Sequence, residues 1–292
     1  MNNFKELITK IDEIIRSIKP LVKEKAISEA MPGLETANAH LLSMGKLAKS
    51  DIEKRFLANR IFAMECLSKE IDSILSKREA GKKEDGNIAL KCNWNDNGFK
   101  APCNQQAYDF NILQGRAWCS SLENKCRNFV GEATLGRNPC YESIALKEMR
   151  FGAGWDHTGD RKKPRRIHSV RQGRIAILTT RPPGVDETGR LIIGCLLINK
   201  VVDDPGLETL IFGDKEKSIE IDYDRIKINF WDYYKNAGDE SLILWASGLF
   251  RYIADKTVLN ILTGINEQYK KEGRDISRVR ELIGQYEKPV AG

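Results

Sequence analysis

The chain has 292 residues, 41% of them hydrophobic and 30% charged, with a net charge of +6. This composition fits a globular protein with room for two ordinary domains and excludes a disordered or collagen-like chain. No apolar run reaches the ~20 residues that a bilayer span needs, and the opening MNNFKELITKIDEII carries charges every few residues instead of a signal-peptide core. The expectation is therefore no membrane partner and a cytoplasmic location.

Residues 3–29 place Phe4, Leu7, Ile8, Ile11, Ile14, Ile15, Ile18, Leu21 and Val22 at three- and four-residue steps, the spacing of one helix face. Pro20 should kink or divide this helix. Met31-Pro32-Gly33 reads as a turn, 34–48 as a second helix, and Ser50-Asp51 as the N-cap of a third over 52–78. Residues 1–80 thus form a small antiparallel bundle, expected to serve packing or homo-oligomerisation. The charged, Gly-containing run at 79–86 marks a domain boundary.

Residues 87–140 form the next segment. Cys92, Cys103, Cys119 and Cys126 fall there in polar, Asn/Gly-rich surroundings with little periodicity. Cysteines used as apolar filler belong on buried faces, whereas grouped loop cysteines in a reducing compartment tend to hold metal. The C-x10-C-x15-C-x6-C spacing, with no His, suits a closed structural zinc site, with an iron–sulfur cluster or ordinary free thiols as alternatives. Against zinc, the tight C-x2–4-C knuckles of zinc ribbons are missing. Cys140 is a reserve ligand, and Cys66 and Cys195 read as core.

Residues 141–292 change pattern again. Tyr141–Met149 reads as a short helix, and 174–180 and 191–201 as strands. Shorter strands are expected at 207–212, 218–221 and 226–230. Leu242–Ile253 fits either type, and helices close the chain at 257–271 and 275–286. Short strands closed by helices suggest an α+β domain with a small, strongly bent sheet or barrel. Neither G-x-G-x-x-G nor a phosphate-binding P-loop is present.

Residues 151–190 alone carry +5 of the net charge, and 191–292 carry −3. Within FGAGWDHTGDRKKPRRIHSVRQGR, Lys162, Lys163, Arg165 and Arg166 surround Pro164, a density suited to phosphates of DNA or RNA. Arg181 is a further phosphate contact. The bland alternative is a solvated loop. FWDYY and LWASGLFRY follow, and some of their rings should line a cleft. Trp155, Trp231 and Trp245 are candidates to sandwich an unstacked base, with Tyr233 and Tyr234 nearby.

From the Gly/Trp and basic loop, through the Gly173–Leu178 step into a strand, to the Ile192–Gly194 "IIG" strand, residues 145–255 resemble the PUA-like barrel superfamily, which includes EVE, YTH and ASCH domains. The chain departs from that pattern by a Pro/Gly insertion at 181–190. The resemblance implies a barrel that takes a modified or flipped base in an aromatic pocket, with any cleavage left to an effector protein partner, in bacterial defence or RNA-modification settings.

No convincing catalytic set emerges. An Mg-dependent nuclease would draw on Asp214, Glu216 and Glu220 with Lys217, or on His157 with Asp156 or Asp160, but the spacing of known nuclease motifs is absent. A protein-interaction scaffold, with every aromatic in the core, is the remaining class.

Overall fold

The amphipathic repeats of the first 78 residues become three helices, α1 (Asn2–Lys23), α2 (Ile27–Leu47) and α3 (Asp51–Arg78). The computed structural model describes residues 2–23, 26–78, 85–113, 119, 140–158, 161–236, 241–245 and 248–287. The chain divides into two units, residues 1–80 with 235–248 and residues 81–234 with 249–292. Among the described residues there are six α-helices and a mixed sheet, an α+β protein, and no helix is long and apolar enough to cross a membrane.

In the helical unit, Ile11, Ile15, Ile18 and Val22 of α1 meet Leu34, Ala37, Leu41 and Met44 of α2 and Met64, Leu67 and Ile71 of α3. Leu242 and Leu244 complete this core from far along the chain. The Asn236 amide fixes their segment by donating to the Leu242 and Leu244 carbonyls at 2.6 and 3.1 Å. Residues 242–244 are thus neither strand nor helix. The expected turn at Met31-Pro32-Gly33 is instead inside α2, and α1 runs over Pro20 to Lys23. Tertiary packing overrides the turn residues here: a Cβ on Gly33 would lie 2.5 Å from Ile18 Cγ2, so the missing side chain lets α2 close onto α1.

Ser50 caps α3 as expected. Its Oγ accepts from the Glu53 N–H at 3.2 Å, and the Glu53 carboxylate accepts from the Ser50 N–H at 2.9 Å, a reciprocal capping box. Ser50→Ala should lower the stability of the helical unit by about 1 kcal/mol, read as an earlier transition by circular dichroism at 222 nm.

The second unit is built on β1 (Asn87–Lys91), β2 (Arg150–Gly152), β5 (Ile175–Thr180), β6 (Leu191–Val202), β7 (Leu210–Gly213), β8 (Ile219–Glu220) and β9 (Phe250–Ile253). The strand order is β2-β7-β6-β5-β1-β9, with β8 beside β6. The sheet is open, not the closed barrel expected. β1 runs parallel to β5, and all other pairs are antiparallel. Helices α4 (Gln105–Leu113), α5 (Asp255–Lys271) and α6 (Ser277–Glu287) accompany it. Residues 141–149 are successive turns instead of a helix.

Residues 87–91 therefore do not belong to a separate cysteine-rich module. They form an inner strand whose Ile88, Ala89 and Leu90 are fully buried. Asn87 anchors this strand. Its side-chain oxygen accepts from the Ile175 N–H at 2.9 Å and from the Tyr286 hydroxyl, and its amide donates to Asp255 at 2.7 Å. Asp255 also accepts from Arg174 at 3.1 Å, and it opens α5, where a carboxylate favours the helix N-terminus.

A candidate nucleic-acid interface on a basic hairpin

The basic segment forms a two-stranded hairpin, β3 (Trp155–Thr158) and β4 (Arg161–Pro164), outside the main sheet. Its register places Trp155 opposite Pro164 and Asp156 opposite Lys163. Gly154, at a φ of +69°, turns the chain into β3 at an angle that favours glycine. Trp155 is 37% exposed, large for a tryptophan, and Lys163 and Arg165 on the facing strand and just after it are also exposed. Lys162 lies on β4, with its side chain outside the described residues.

The base of the hairpin is held by the loop after β6. The Tyr141 hydroxyl donates to Glu208 at 2.6 Å, and the other oxygen of Glu208 accepts from the Gly154 N–H. Burial first, and then the Glu208 contact, push the Tyr141 phenol well above its usual value, so it stays a protonated donor. The Arg165 N–H bonds the Gly154 carbonyl at 3.0 Å, and the Thr209 N–H bonds the Arg165 carbonyl at 3.1 Å. Arg166 has its guanidinium 2.6 Å from the Asp203 carboxylate and donates to the carbonyls of Asp203 and Asp204 at 2.7 and 2.8 Å. The Arg166 hydrogen bond in turn holds the Asp203 carboxyl below its ordinary value. Arg166, expected to meet phosphate, thus fastens the hairpin to its support.

The other predicted residues lie elsewhere. Arg181 follows β5 and Trp231 lies beside the start of β6, where its indole N–H donates to Glu187 at 3.3 Å. The hairpin sits beyond the opposite end of β6. The length of β6 lies between the two places, so Trp155 and Trp231 do not bracket one base. Trp231 is only 4% exposed and Tyr234 1%, and the Tyr234 ring stacks on Phe230 with centroids 5.0 Å apart. Tyr233 packs against Gly264 of α5, where an added Cβ would lie 2.0 Å from its hydroxyl. Trp245 belongs to the helical unit, is 1% exposed, and donates to the Gly248 carbonyl at 2.9 Å. Phe230, Trp231 and Tyr234 of FWDYY are core and Tyr233 is half-buried, because the 3-10 turn at Phe230–Asp232 directs Phe230 and Trp231 inward.

Cys92 sits in the sheet core, where burial pushes its thiol well up. Cys103 and Cys119 both approach the stretch after β1: Cys103 Sγ donates to the Trp94 carbonyl at 3.6 Å, and Cys119 Sγ lies 4.0 Å from the Asn93 amide. Cys126 lies outside the described residues. Among the described residues, no three His, Cys, Asp or Glu side chains group closely enough to hold a metal.

The nuclease candidates do not converge either. Asp214 accepts from the Glu216 and Lys217 N–H groups of its own turn, Lys217 pairs with Glu281 at 3.2 Å, and Glu220 pairs with Lys100. The side chains of Asp156, His157 and Asp160 fall outside the described residues.

The sequence reading missed a buried ion pair in the 181–190 insertion. Arg190 is 0% exposed and donates to Glu187 at 2.9 Å and to the Thr179 hydroxyl at 3.4 Å. Its trace in the sequence is the Glu-x-x-Arg spacing after Asp186, which caps the 3-10 turn at Glu187–Gly189. No family model, curated protein or solved structure matches the chain, so the hairpin stands on its own geometry.

Proposed function

We propose that the sheet unit is a nucleic-acid-binding module that engages its ligand through the β3–β4 hairpin. One observation carries this reading: a single hairpin presents an exposed tryptophan, Trp155, together with the exposed cations Lys163 and Arg165. Trp155 offers a flat face for an unstacked base, and the cations meet the phosphates on either side of it. The concentration of positive charge between residues 151 and 190 supports the same assignment. Arg166 and Glu208 position the hairpin instead of touching the ligand. In this proposal the PUA-like resemblance contributes only its order of strands. Base stacking falls to Trp155, since Trp231, Tyr234 and Trp245 are buried, and such stacking accepts any base. Cleavage, where it occurs, belongs to an effector partner.

The test is fluorescence anisotropy of labelled single-stranded DNA and RNA and of duplexes, titrated with the full chain across a salt series. Single strands should bind more tightly than duplexes, whose bases are already stacked. Trp155→Ala should weaken single-strand binding by roughly 5- to 150-fold, the loss of about 1–3 kcal/mol of stacking. Lys163→Glu with Arg165→Glu should weaken all ligands and flatten the salt dependence. Affinities that neither variant changes would reject the hairpin as the interface and favour the scaffold reading.

A further inference from the structure

Helix α3 has two faces of different character. One buries Met64, Leu67 and Ile71 in the bundle core. The opposite face, at 100° per residue, is the row Asp51, Arg55, Ala58, Phe62, Glu65 and Lys69, and all six residues are exposed. Their spacing is 4-3-4-3-4, the seam of a helix pair. Phe62, in the middle of the row, is 64% exposed, and Ile61 beside it is 41% exposed. Between residues 51 and 63 no side chain of α3 is fully buried, so this half of a 28-residue helix takes little support from its own bundle.

The charges of this row are mirrored about its midpoint. Reversing the row and laying it on itself about the level of residue 60 puts Arg55 opposite Glu65 and Asp51 opposite Lys69. The same alignment puts Phe62 over Ala58. A parallel overlay, by contrast, would stack like charge on like. We propose that α3 is a self-recognition helix: two copies of the chain pair antiparallel through this face, around a two-fold axis near residue 60. Such an interface is isologous, so each unlike pair occurs twice and the two phenylalanines each cover the small Ala58 of the other copy, an apolar contact flanked by ion pairs. Arg60, on the bundle side, is already held by Asp12 and takes no part. Asp51 already lies 3.6 Å from Lys54 of its own helix, which makes Arg55–Glu65 the stronger cross-pair. The seam is about 27 Å long, a single-helix contact smaller than the ~800 Å² per partner of a standard interface, so the dimer is concentration- and salt-dependent.

Sedimentation equilibrium of the full chain at about 50 mM salt, up to about 200 µM, tests the pairing. The wild type should show a monomer–dimer equilibrium that shifts toward monomer as salt is raised. Arg55→Glu and Glu65→Arg should each weaken it about tenfold or more, because each reversal creates two like-charge contacts. The combined Arg55→Glu/Glu65→Arg chain should recover dimerisation, and Phe62→Asp should abolish it. All of these positions are exposed, so unchanged circular dichroism is expected for every variant. A wild type monomeric at every loading, a dimer indifferent to both Arg55→Glu and Phe62→Asp, or a double reversal that stays monomeric would each overturn the proposal.

Discussion

Replacing Glu187 with alanine is expected to lower the unfolding free energy of the sheet unit by about 3 kcal/mol, at the lower end of the ~3–5 kcal/mol typical of a broken buried ion pair. The reason is its partner. The Arg190 side chain is 1% exposed, so losing the carboxylate leaves a buried cation without its counter-charge. Burial alone would raise the Glu187 carboxyl, but the Arg190 hydrogen bonds and charge, helped by Lys91 and Arg181, outweigh it and hold the group below its usual value. The folded-state value thus lies below the unfolded one. The stabilisation is fully present above the ordinary carboxylate range near pH 4.3, and is lost as pH falls through the depressed folded-state value. Urea unfolding at neutral pH and in a series down toward pH 3 should show the Glu187→Ala deficit shrinking in acid. A Glu187→Gln/Arg190→Met chain should be more stable than Glu187→Ala alone, because it removes the charge along with its partner. A deficit below about 0.5 kcal/mol, or one that grows in acid, would mean that Arg190 is satisfied without Glu187.

Gly152→Ala should be as damaging, and its damage should reach the hairpin. A Cβ at Gly152 would lie 2.0–2.6 Å from the ring carbons of Tyr141, closer than any real contact, so the ring must move. Overpacking of this kind costs about 1–3 kcal/mol. Tyr141 cannot move without cost, since its hydroxyl bonds Glu208 at 2.6 Å and its ring lies 5.8 Å from the Arg150 guanidinium. Glu208 also holds the Gly154 N–H, so a displaced ring loosens the residue that aims Trp155. The expected result is a lower melting temperature together with single-strand affinity reduced several-fold. Tyr141→Phe, which keeps the ring and drops the hydroxyl, should leave most of the stability and show the affinity loss alone. If Gly152→Ala melts like the wild type, the close packing of Tyr141 on β2 is refuted.

Several elements could be read directly from the residues. The runs RIAILTT and LIIGCLLINKV are long and apolar enough to fix β5 and β6, and the amphipathic period of the C-terminal region fixes α5. The Ser50–Glu53 box marks the start of α3 because its chemistry is local. β1 was hidden because NIALK is five residues long, lies among loop-like Asn and Cys, and becomes a strand only through distant partners. Pro32 and Gly33 argued locally for a turn, and the Ile18 contact that overrides them has no local signature. The aromatic density of FWDYY was visible, but whether its rings face a cleft or a core depends on the 3-10 turn that carries them. At the hairpin, composition identified the cations, but only geometry separates the outward Lys163 from the Arg166 that ties down a loop.

The arrangement around Asn87 has a consequence for how the protein is made. Its three hydrogen-bond partners lie 88, 168 and 199 positions further along the chain. A ribosome delivers β1 long before any of them, so the apolar Ile88–Leu90 stretch must wait, uncovered, until β5 and then β9 emerge. Contacts this distant close slowly, and during translation the nascent sheet has an open slot that any extended apolar strand can fill. Chain termination anywhere before Tyr286 would leave the inner strand without its last clasp.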